Sequence, residues 1–396
     1  MEYDLVFQGG GAKGTVFVGA LQEFTARGHT HGRLLGTSAG AITATLLAAG
    51  YGFEEMQTAL LEKKGGKSVF SYFLGQPAPL PPDELENGAW SKLFQEIDLS
   101  LIPNAFGIEK QFDRFVLKIM DADPVGQHLL SFVERGGWYS ADAFLAWLAD
   151  KLDAAPPNGK PRGFGQLTLE EFYQATKKDL SVVAANTTRN IKLVLNHHTA
   201  PKVPVVWATR MSMSVPLLWQ EVIWQTEWGT YRGMDISGDR VVDGGLLSNF
   251  PLELFISDEK TVVDVMGPKL NDNVLGLLID DDIPVPNAPP LPQKKDFPIT
   301  DFATVQRLLG LVNTMLQTND KAVIADFEYL VARLPCGGYG VTEFDMTDAR
   351  RDALIDSGRN AMKMYFARLA ATSFDIGEAG PSPMDIANQM ALKMLK

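Results

Sequence analysis

A serine flanked by glycines is the first group in this sequence that could carry out chemistry. Residues 36–40 read Gly-Thr-Ser-Ala-Gly, the G-x-S-x-G pattern that exposes a nucleophilic serine on a tight turn between a strand and a helix. The small flanking residues Gly36 and Gly40 permit such a strained turn. The N-terminus of the following helix would favour the negative charge that develops during ester hydrolysis. Ser38 is therefore our candidate nucleophile.

The best candidate for a base that activates Ser38 is Asp243. Val241 and Val242 end an apolar strand, so Asp243 lies at the carboxyl end of a strand, where open α/β sheets build their sites. Gly244 and Gly245 follow at once and allow another group to approach closely.

The five histidines suit a serine triad less well. An α/β-hydrolase orders its triad as serine, acid and then a late histidine, but no histidine follows His198 here. His197 and His198 lie at a predicted strand end, where a solvated turn is the simpler interpretation. A triad that ends in either of them stays a formal alternative.

A third candidate element is the glycine-rich run at residues 9–14, Gly-Gly-Gly-Ala-Lys-Gly. Gly9, Gly11 and Gly14 also match the dinucleotide pattern G-x-G-x-x-G, but that site needs an acidic residue about 20 positions later, and residues 30–36 contain none. A P-loop would need a lysine directly after Gly14. What remains is a series of backbone N–H groups at a helix N-terminus, which in ester hydrolysis serves as an oxyanion hole.

The elements that would position these residues alternate along the chain. Strands are predicted at residues 4–8 and 33–35, each followed by a glycine-rich turn and a helix. This order predicts an α/β fold with a parallel sheet. The later predicted strands are residues 180–185, 191–195, 203–208, 240–242, 261–265 and 340–344, and the later predicted helices are 302–316 and 354–369.

Composition excludes several other classes of protein. A formal net charge of -12 argues against a nucleic-acid binder, and the single cysteine, Cys336, cannot form an internal disulfide. Cysteine and histidine are too sparse for a zinc site, and no carboxylates have calcium-loop spacing. No run of about 18 apolar residues and no signal peptide is evident. We therefore expect a cytoplasmic protein that works at membrane surfaces, although export without a cleaved signal stays open.

The three glycine motifs together resemble the patatin-like phospholipase family, whose pattern is a G-G-G-x-[K/R]-G loop, a G-x-S-x-G elbow and a later D-G-[G/A] turn. The resemblance covers about residues 3–60 and 178–372. It implies a three-layer α/β/α patatin-like fold with a mostly parallel central sheet. We expect one domain over residues 1–372, with a helical and loop insertion at 61–177 and a C-terminal tail at 373–396.

By that resemblance Ser38 and Asp243 form a catalytic dyad without histidine. The backbone N–H groups of Gly10, Gly11 and Ala39 are the candidate oxyanion donors. Lys13 could draw a phosphate headgroup, or it could be an ordinary solvated lysine. The resemblance implies neither a metal nor an organic cofactor.

The implied reaction is hydrolysis of a fatty-acyl ester of a phospholipid or lysophospholipid through an acyl-serine intermediate. The alternative is a toxin or defence effector whose phospholipase stays silent until a partner or small ligand binds. A nucleotide-binding protein is a remote third possibility. Residues 69–74, Val-Phe-Ser-Tyr-Phe-Leu, could dip into a lipid interface or equally cap the core.

Overall fold

The fold is built around one eight-stranded sheet. The computed structural model describes residues 1–96, 117–157, 159–291, 310, 314, 321–372 and 383–395. Its strands are β1 (Glu2–Phe7), β2 (Thr30–Thr37), β3 (Lys63–Lys64), β4 (Lys67–Ser68), β5 (Gly137–Tyr139), β6 (Leu180–Asn186), β7 (Ile191–Leu195), β8 (Leu217–Trp219), β9 (Val222–Ile223), β10 (Arg240–Asp243), β11 (Val274–Pro284) and β12 (Val331–Gly337). The main sheet has the order β12-β11-β1-β2-β6-β10-β9, with β7 also paired to β6. The pairs from β12 to β6 are parallel, whereas β7, β9 and β10 are antiparallel to their neighbours.

Helices cover both faces of this sheet. The described α-helices, including those of the insertion, are α1 (Val16–Ala26), α2 (Ala39–Ala48), α3 (Phe53–Leu60), α4 (Val69–Tyr72), α5 (Pro82–Asn87), α6 (Ala89–Glu96), α7 (Pro124–Glu134), α8 (Asp142–Asp153), α9 (Leu169–Thr176), α10 (Val205–Met213), α11 (Glu253–Ile256), α12 (Lys260–Met266), α13 (Lys321–Asp326), α14 (Asp348–Thr372) and α15 (Pro383–Met394). Successive strand residues alternate between two cores: Leu5 and Phe7 pack with α1, α2 and α14, and Val6 packs with α11, α12 and α15. The predicted three-layer α/β/α fold with a mostly parallel sheet is confirmed.

Three of the predicted strands are wrong. Residues 205–208 belong to α10 and residues 261–265 to α12, while residues 340–344 form turns just after the real strand, β12. Short apolar runs do not distinguish a strand from a helix that is buried on all sides, and α10 is such a helix. The helix predicted at 302–316 falls outside the described residues, apart from two positions.

Within the described part of residues 61–177, no strand joins the main sheet. Within that part, residues 69–74 do not form an exposed apolar loop. Phe73 is buried against Phe144 and Trp147, with ring centroids 5.2 Å apart in both pairs, and Phe70 stacks on Phe344. Of the two interpretations of this segment, insertion into lipid is therefore wrong and packing against the core is correct.

The C-terminal helix α15 is attached to the second core. Ala387 and Ala391 are buried there, and the Ser257 hydroxyl donates to Asn388 Oδ1 at 2.7 Å. Among the described helices, none combines the length and the apolar character that a membrane crossing needs.

Candidate active site

Strands β2 and β10 pair with consecutive parts of one edge of β6, and their carboxyl ends point toward each other. Thr37, the last residue of β2, pairs with Val183, and Asp243, the last residue of β10, pairs with the next residue, Ala184. Because β2 runs parallel to β6 and β10 runs antiparallel to it, their carboxyl ends converge from opposite directions. This pairing brings Ser38 and Asp243 together.

The turn at Ser38 has the strained backbone that the motif predicts. Ser38 has φ 55° and ψ -121°, in a region that residues with a side chain rarely occupy. The flanking glycines make the turn possible: a Cβ on Gly36 would lie 2.3 Å from the carbonyl oxygen of Gly40, and a Cβ on Gly40 equally close to that of Phe7. Helix α2 then begins directly at Ala39.

Asp243 is completely buried beside this turn. Its Oδ1 accepts a hydrogen bond from the Gly245 N–H at 2.8 Å, while its backbone N–H donates to the Ser214 carbonyl oxygen at 2.9 Å. Among the described residues, nothing forms a well-aligned hydrogen bond with Oδ2. The free carboxylate oxygen is therefore the one available to a neighbouring hydroxyl.

Burial raises the pKa of Asp243 to about 7. The Ser38 side chain and the Gly245 N–H act in the opposite direction and lower that pKa. Ser38 is thus close enough to influence the carboxyl group, although the pair does not reach hydrogen-bond geometry. Catalytic hydrogen bonds are often long before a substrate binds.

The structure does not bring His197 or His198 to Ser38. The two imidazoles contact each other at an interplanar angle of 41°, and His197 stacks on Tyr173 with ring centroids 3.8 Å apart. His197 also lies 3.8 Å from Asp179, the residue directly before β6. Burial lowers the pKa of His197 to about 4, so this imidazole stays neutral at physiological pH.

The glycine-rich loop approaches Ser38 from the end of β1. A Cβ on Gly9 would lie only 2.9 Å from the Ser38 Cβ, so this approach requires glycine. Asn249 anchors the loop, since its side-chain amide donates to the Gly9 carbonyl oxygen at 3.0 Å. Within the described part of the chain, no group accepts a hydrogen bond from the N–H of Gly10, Gly11 or Ala39. These donors are available to an oxyanion.

Lys13 does not face solvent, and its charge is paired with a carboxylate. Its ammonium group is buried and contacts both carboxylate oxygens of Asp281, at 2.8 and 2.7 Å. Of the two alternatives considered for this lysine, simple solvation is therefore wrong, whereas attraction of a phosphate headgroup stays a prediction. The ion pair ties the glycine-rich loop to the end of β11.

Ser38 lies between an apolar cavity and a polar pocket. The apolar cavity has a volume of about 280 Å³ and is lined mainly by Ile42, Leu60, Phe70, Phe73, Leu218 and Phe344. The second pocket, about 40 Å³, is called the polar pocket because Gln8, Asn249, Asp281 and the glycine-rich loop line it, together with the apolar residues Val215, Ile279 and Val341. The site can therefore hold an apolar group on one side of the serine and a polar group on the other.

Sequence reasoning assigned no role to Ser212 or Ser214. The Ser38 N–H donates to Ser212 Oγ at 3.0 Å, and Ser214 accepts from Asp243 as described above. Both lie at the end of α10, within the range 178–372 that the family resemblance covers. Because the sequence predicts a strand at 203–208, it does not predict a helix whose end meets both Ser38 and Asp243.

Comparisons with known proteins agree with this architecture. A family model described as patatin-like phospholipase matches residues 5–256, a range that includes all three glycine motifs. The uncharacterized protein YqhO of Bacillus subtilis (strain 168) is 26% identical over 373 residues, which is 92% of this chain and 98% of YqhO.

Two bacterial proteins are similar among solved structures. VipD from Legionella pneumophila aligns with a TM-score of 0.45 and 16% identity, over 92% of this chain and 67% of VipD. The type III effector protein ExoU of Pseudomonas aeruginosa aligns with a TM-score of 0.37 and 16% identity, over 93% of this chain and 53% of ExoU.

Proposed function

The chain belongs to the patatin-like phospholipase family and is a lipid ester hydrolase, and on this basis we propose that it cleaves fatty-acyl esters of phospholipids or lysophospholipids with a Ser38–Asp243 dyad. One observation carries the proposal. The Ser38 turn lies beside the buried Asp243 carboxylate and beside three backbone N–H groups that have no acceptor among the described residues, and Ser38, Gly11 and Ala39 line one apolar cavity.

In the proposed mechanism, Ser38 Oγ attacks the ester carbonyl carbon while its proton passes to Asp243 Oδ2. The carbonyl oxygen becomes an oxyanion, which accepts hydrogen bonds from the N–H groups of Gly10, Gly11 and Ala39. Collapse of this intermediate breaks the bond to the alcohol, which takes the proton from Asp243. Asp243 then removes a proton from water as that water attacks the acyl-serine. The bond to Ser38 Oγ breaks, Ser38 takes the proton back from Asp243, and the fatty acid is released.

Burial suits Asp243 to this role. An ordinary carboxylate is a weak base toward a serine hydroxyl, and a pKa of about 7 makes Asp243 a stronger one that is still largely ionised at physiological pH. The same dry surroundings strengthen the hydrogen bonds to the oxyanion.

We propose that the acyl chain occupies the apolar cavity and that the alcohol half faces the polar pocket. Each methylene group of the acyl chain that is buried against apolar side chains stabilises the bound state by about 0.8 kcal/mol. The polar pocket instead presents the Asp281 carboxylate, which the Lys13 ammonium group neutralises.

The pH dependence tests the identity of the base. We expect kcat/KM on a soluble short-chain ester to fall below about pH 7, because protonated Asp243 cannot accept the Ser38 proton. With His197 as the base, the fall would come near pH 4. Rates measured from about pH 5 to pH 9 decide between them. A flat profile between about pH 5 and pH 7 would contradict the Asp243 assignment.

The acyl assignment predicts an effect of filling the apolar cavity. Leu60→Trp should lower kcat/KM on a hexadecanoyl ester by about 10-fold or more and leave a butanoyl ester nearly unaffected, since only the long chain needs the lost volume. Leu61→Trp is the matched control, because Leu61 lines a neighbouring pocket beside Lys63 and Asp348 and does not line the apolar cavity. Equal losses on both esters would contradict the assignment.

The function itself is tested by fatty-acid release from phosphatidylcholine vesicles and from lysophosphatidylcholine, with the purified wild type beside Ser38→Ala. We expect release by the wild type alone. A silent wild type whose Ser38 still reacts with a fluorophosphonate would favour the effector that waits for an activating partner or ligand. Silence without labelling would contradict the proposal.

A further inference from the structure

Arg210 is a buried cation close to the candidate active site. It lies on α10, is 4% exposed, and forms no ion pair with any carboxylate among the described residues. Its Nη1 donates to Ser214 Oγ, and its Nη2 donates to the Gln220 carbonyl oxygen at 2.8 Å. The Asp142 carboxylate acts on this charge only from beyond ion-pair distance. Burying a charge without a direct ion pair costs several kcal/mol, so an apolar residue would serve simple packing better.

The segment that Arg210 holds contacts both members of the proposed dyad. Ser212 Oγ accepts from the Ser38 N–H, and the Ser214 carbonyl oxygen accepts from the Asp243 N–H. Val215, the next residue, lines both the apolar cavity and the polar pocket. A shift of this segment would therefore move the serine and the carboxylate relative to each other.

The other contact of Arg210 leads to the insertion. The Gln220 N–H donates to the Tyr139 carbonyl oxygen at 3.0 Å, and its side-chain amide donates to Ser131 Oγ, on α7, at 2.9 Å. The guanidinium group therefore connects residues 212–215, which contact Ser38 and Asp243, to β5 and α7 through Gln220.

We propose that Arg210 is a positioning residue, which fixes residues 212–215 against Gln220 and so sets the placement of Ser38 relative to Asp243. The inference rests on the proposed function. It does not make Arg210 a catalytic residue, because its guanidinium group donates to Ser214 and Gln220 and contacts neither Ser38 nor Asp243. The planar fork reaches two acceptors at once, which a lysine ammonium on a flexible stem does not do.

Arg210→Lys tests this link. We expect kcat on a soluble short-chain ester to fall by about 10- to 100-fold, the cost of a misplacement of about 1 Å, with KM changed less than about two-fold. The acid limb of kcat/KM should move below its wild-type position, because a displaced Asp243 becomes better solvated. Kinetics, the pH profile and the melting temperature are measured together.

Ser214→Ala tests the same link with a change that removes only one hydroxyl group. We expect a smaller loss of kcat, and the double variant should be no worse than Arg210→Lys alone, since both substitutions break one connection. Arg162→Lys is the matched control: Arg162 is a buried arginine that donates to the Ala49 carbonyl oxygen and pairs with Glu55. It should lower the melting temperature and leave kcat and the acid limb unchanged.

Three results would overturn the inference: wild-type kcat and acid limb in Arg210→Lys, additive losses in the double variant, or an equal loss of kcat in Arg162→Lys. If Arg210→Lys does not fold, the outcome for Ser214→Ala decides. A wild type without hydrolysis or fluorophosphonate labelling would instead reject the proposed function, so the two failures are distinguishable.

Discussion

Ser38→Ala is expected to abolish ester hydrolysis, with kcat falling by about 10⁴-fold or more, while the protein stays folded. Without the hydroxyl group no acyl-serine can form, and the N–H groups of Gly10, Gly11 and Ala39 have no intermediate to stabilise. Stability should change little, because the turn depends on Gly36 and Gly40, which the substitution leaves in place.

Two measurements check this expectation. Fatty-acid release gives the rate, and a fluorophosphonate with mass spectrometry of the labelled peptide identifies the nucleophile, which should be Ser38 in the wild type and no residue in the variant. Ser357→Ala is the matched control, since Ser357 is a similarly buried serine on α14, away from the site. Full activity in Ser38→Ala, or labelling of another serine, would end the assignment of the nucleophile.

Local patterns explain why the first part of the site could be predicted from the sequence. The glycines of residues 9–14 and 36–40 each serve a turn between a strand and a helix adjacent in sequence, and both turns form as predicted. These turns need backbone geometry that glycine permits almost uniquely, so the glycines in the sequence are enough to predict them.

Long-range pairing explains what local patterns could not predict, and it is the family resemblance that implies the Ser38–Asp243 dyad. Asp243 reaches Ser38 because β10 continues the line of β2 along β6 in the opposite direction, and no local pattern encodes that arrangement. Lys13 pairs with Asp281, 268 positions away, and local sequence does not show that partner. The lysine is therefore buried, although its local sequence is compatible with a solvated side chain. The strand predicted at 203–208 is wrong for a related reason: the helix found there, α10, is buried on all sides and shows no amphipathic period.

The same burial changes the pH behaviour expected of the dyad. A carboxylate base implies loss of activity in acid, near the ordinary value of about 4. In the fold, desolvation raises the pKa of Asp243 to about 7, into the range where an ordinary imidazole titrates. The pH profile is therefore informative here only because burial lowers the pKa of His197 to about 4.

Asp243→Asn is expected to lower kcat by about 10³- to 10⁴-fold, the scale seen when the acidic member of a serine triad is disabled. The amide is nearly isosteric and its oxygen can still accept from the Gly245 N–H, but it cannot take the Ser38 proton. His197→Ala and His198→Ala are the matched arms and should stay near wild-type rates. A dead histidine variant beside an active Asp243→Asn would show that a conventional triad operates.

Relative to the wild type, Asp243→Asn should become more stable as the pH rises. The folded pKa of Asp243, about 7, lies above the unfolded value of about 4. Its contribution to stability is therefore present below about pH 4 and is lost as the pH rises through about 7, because the folded state must then hold an ionised carboxylate without solvent. Asparagine carries no such cost. The melting temperature of Asp243→Asn minus that of the wild type should increase from about pH 4 to about pH 7 and then level off. A constant difference would mean that Asp243 is ionised at ordinary acid pH, and the dyad would lose the basicity on which its mechanism depends.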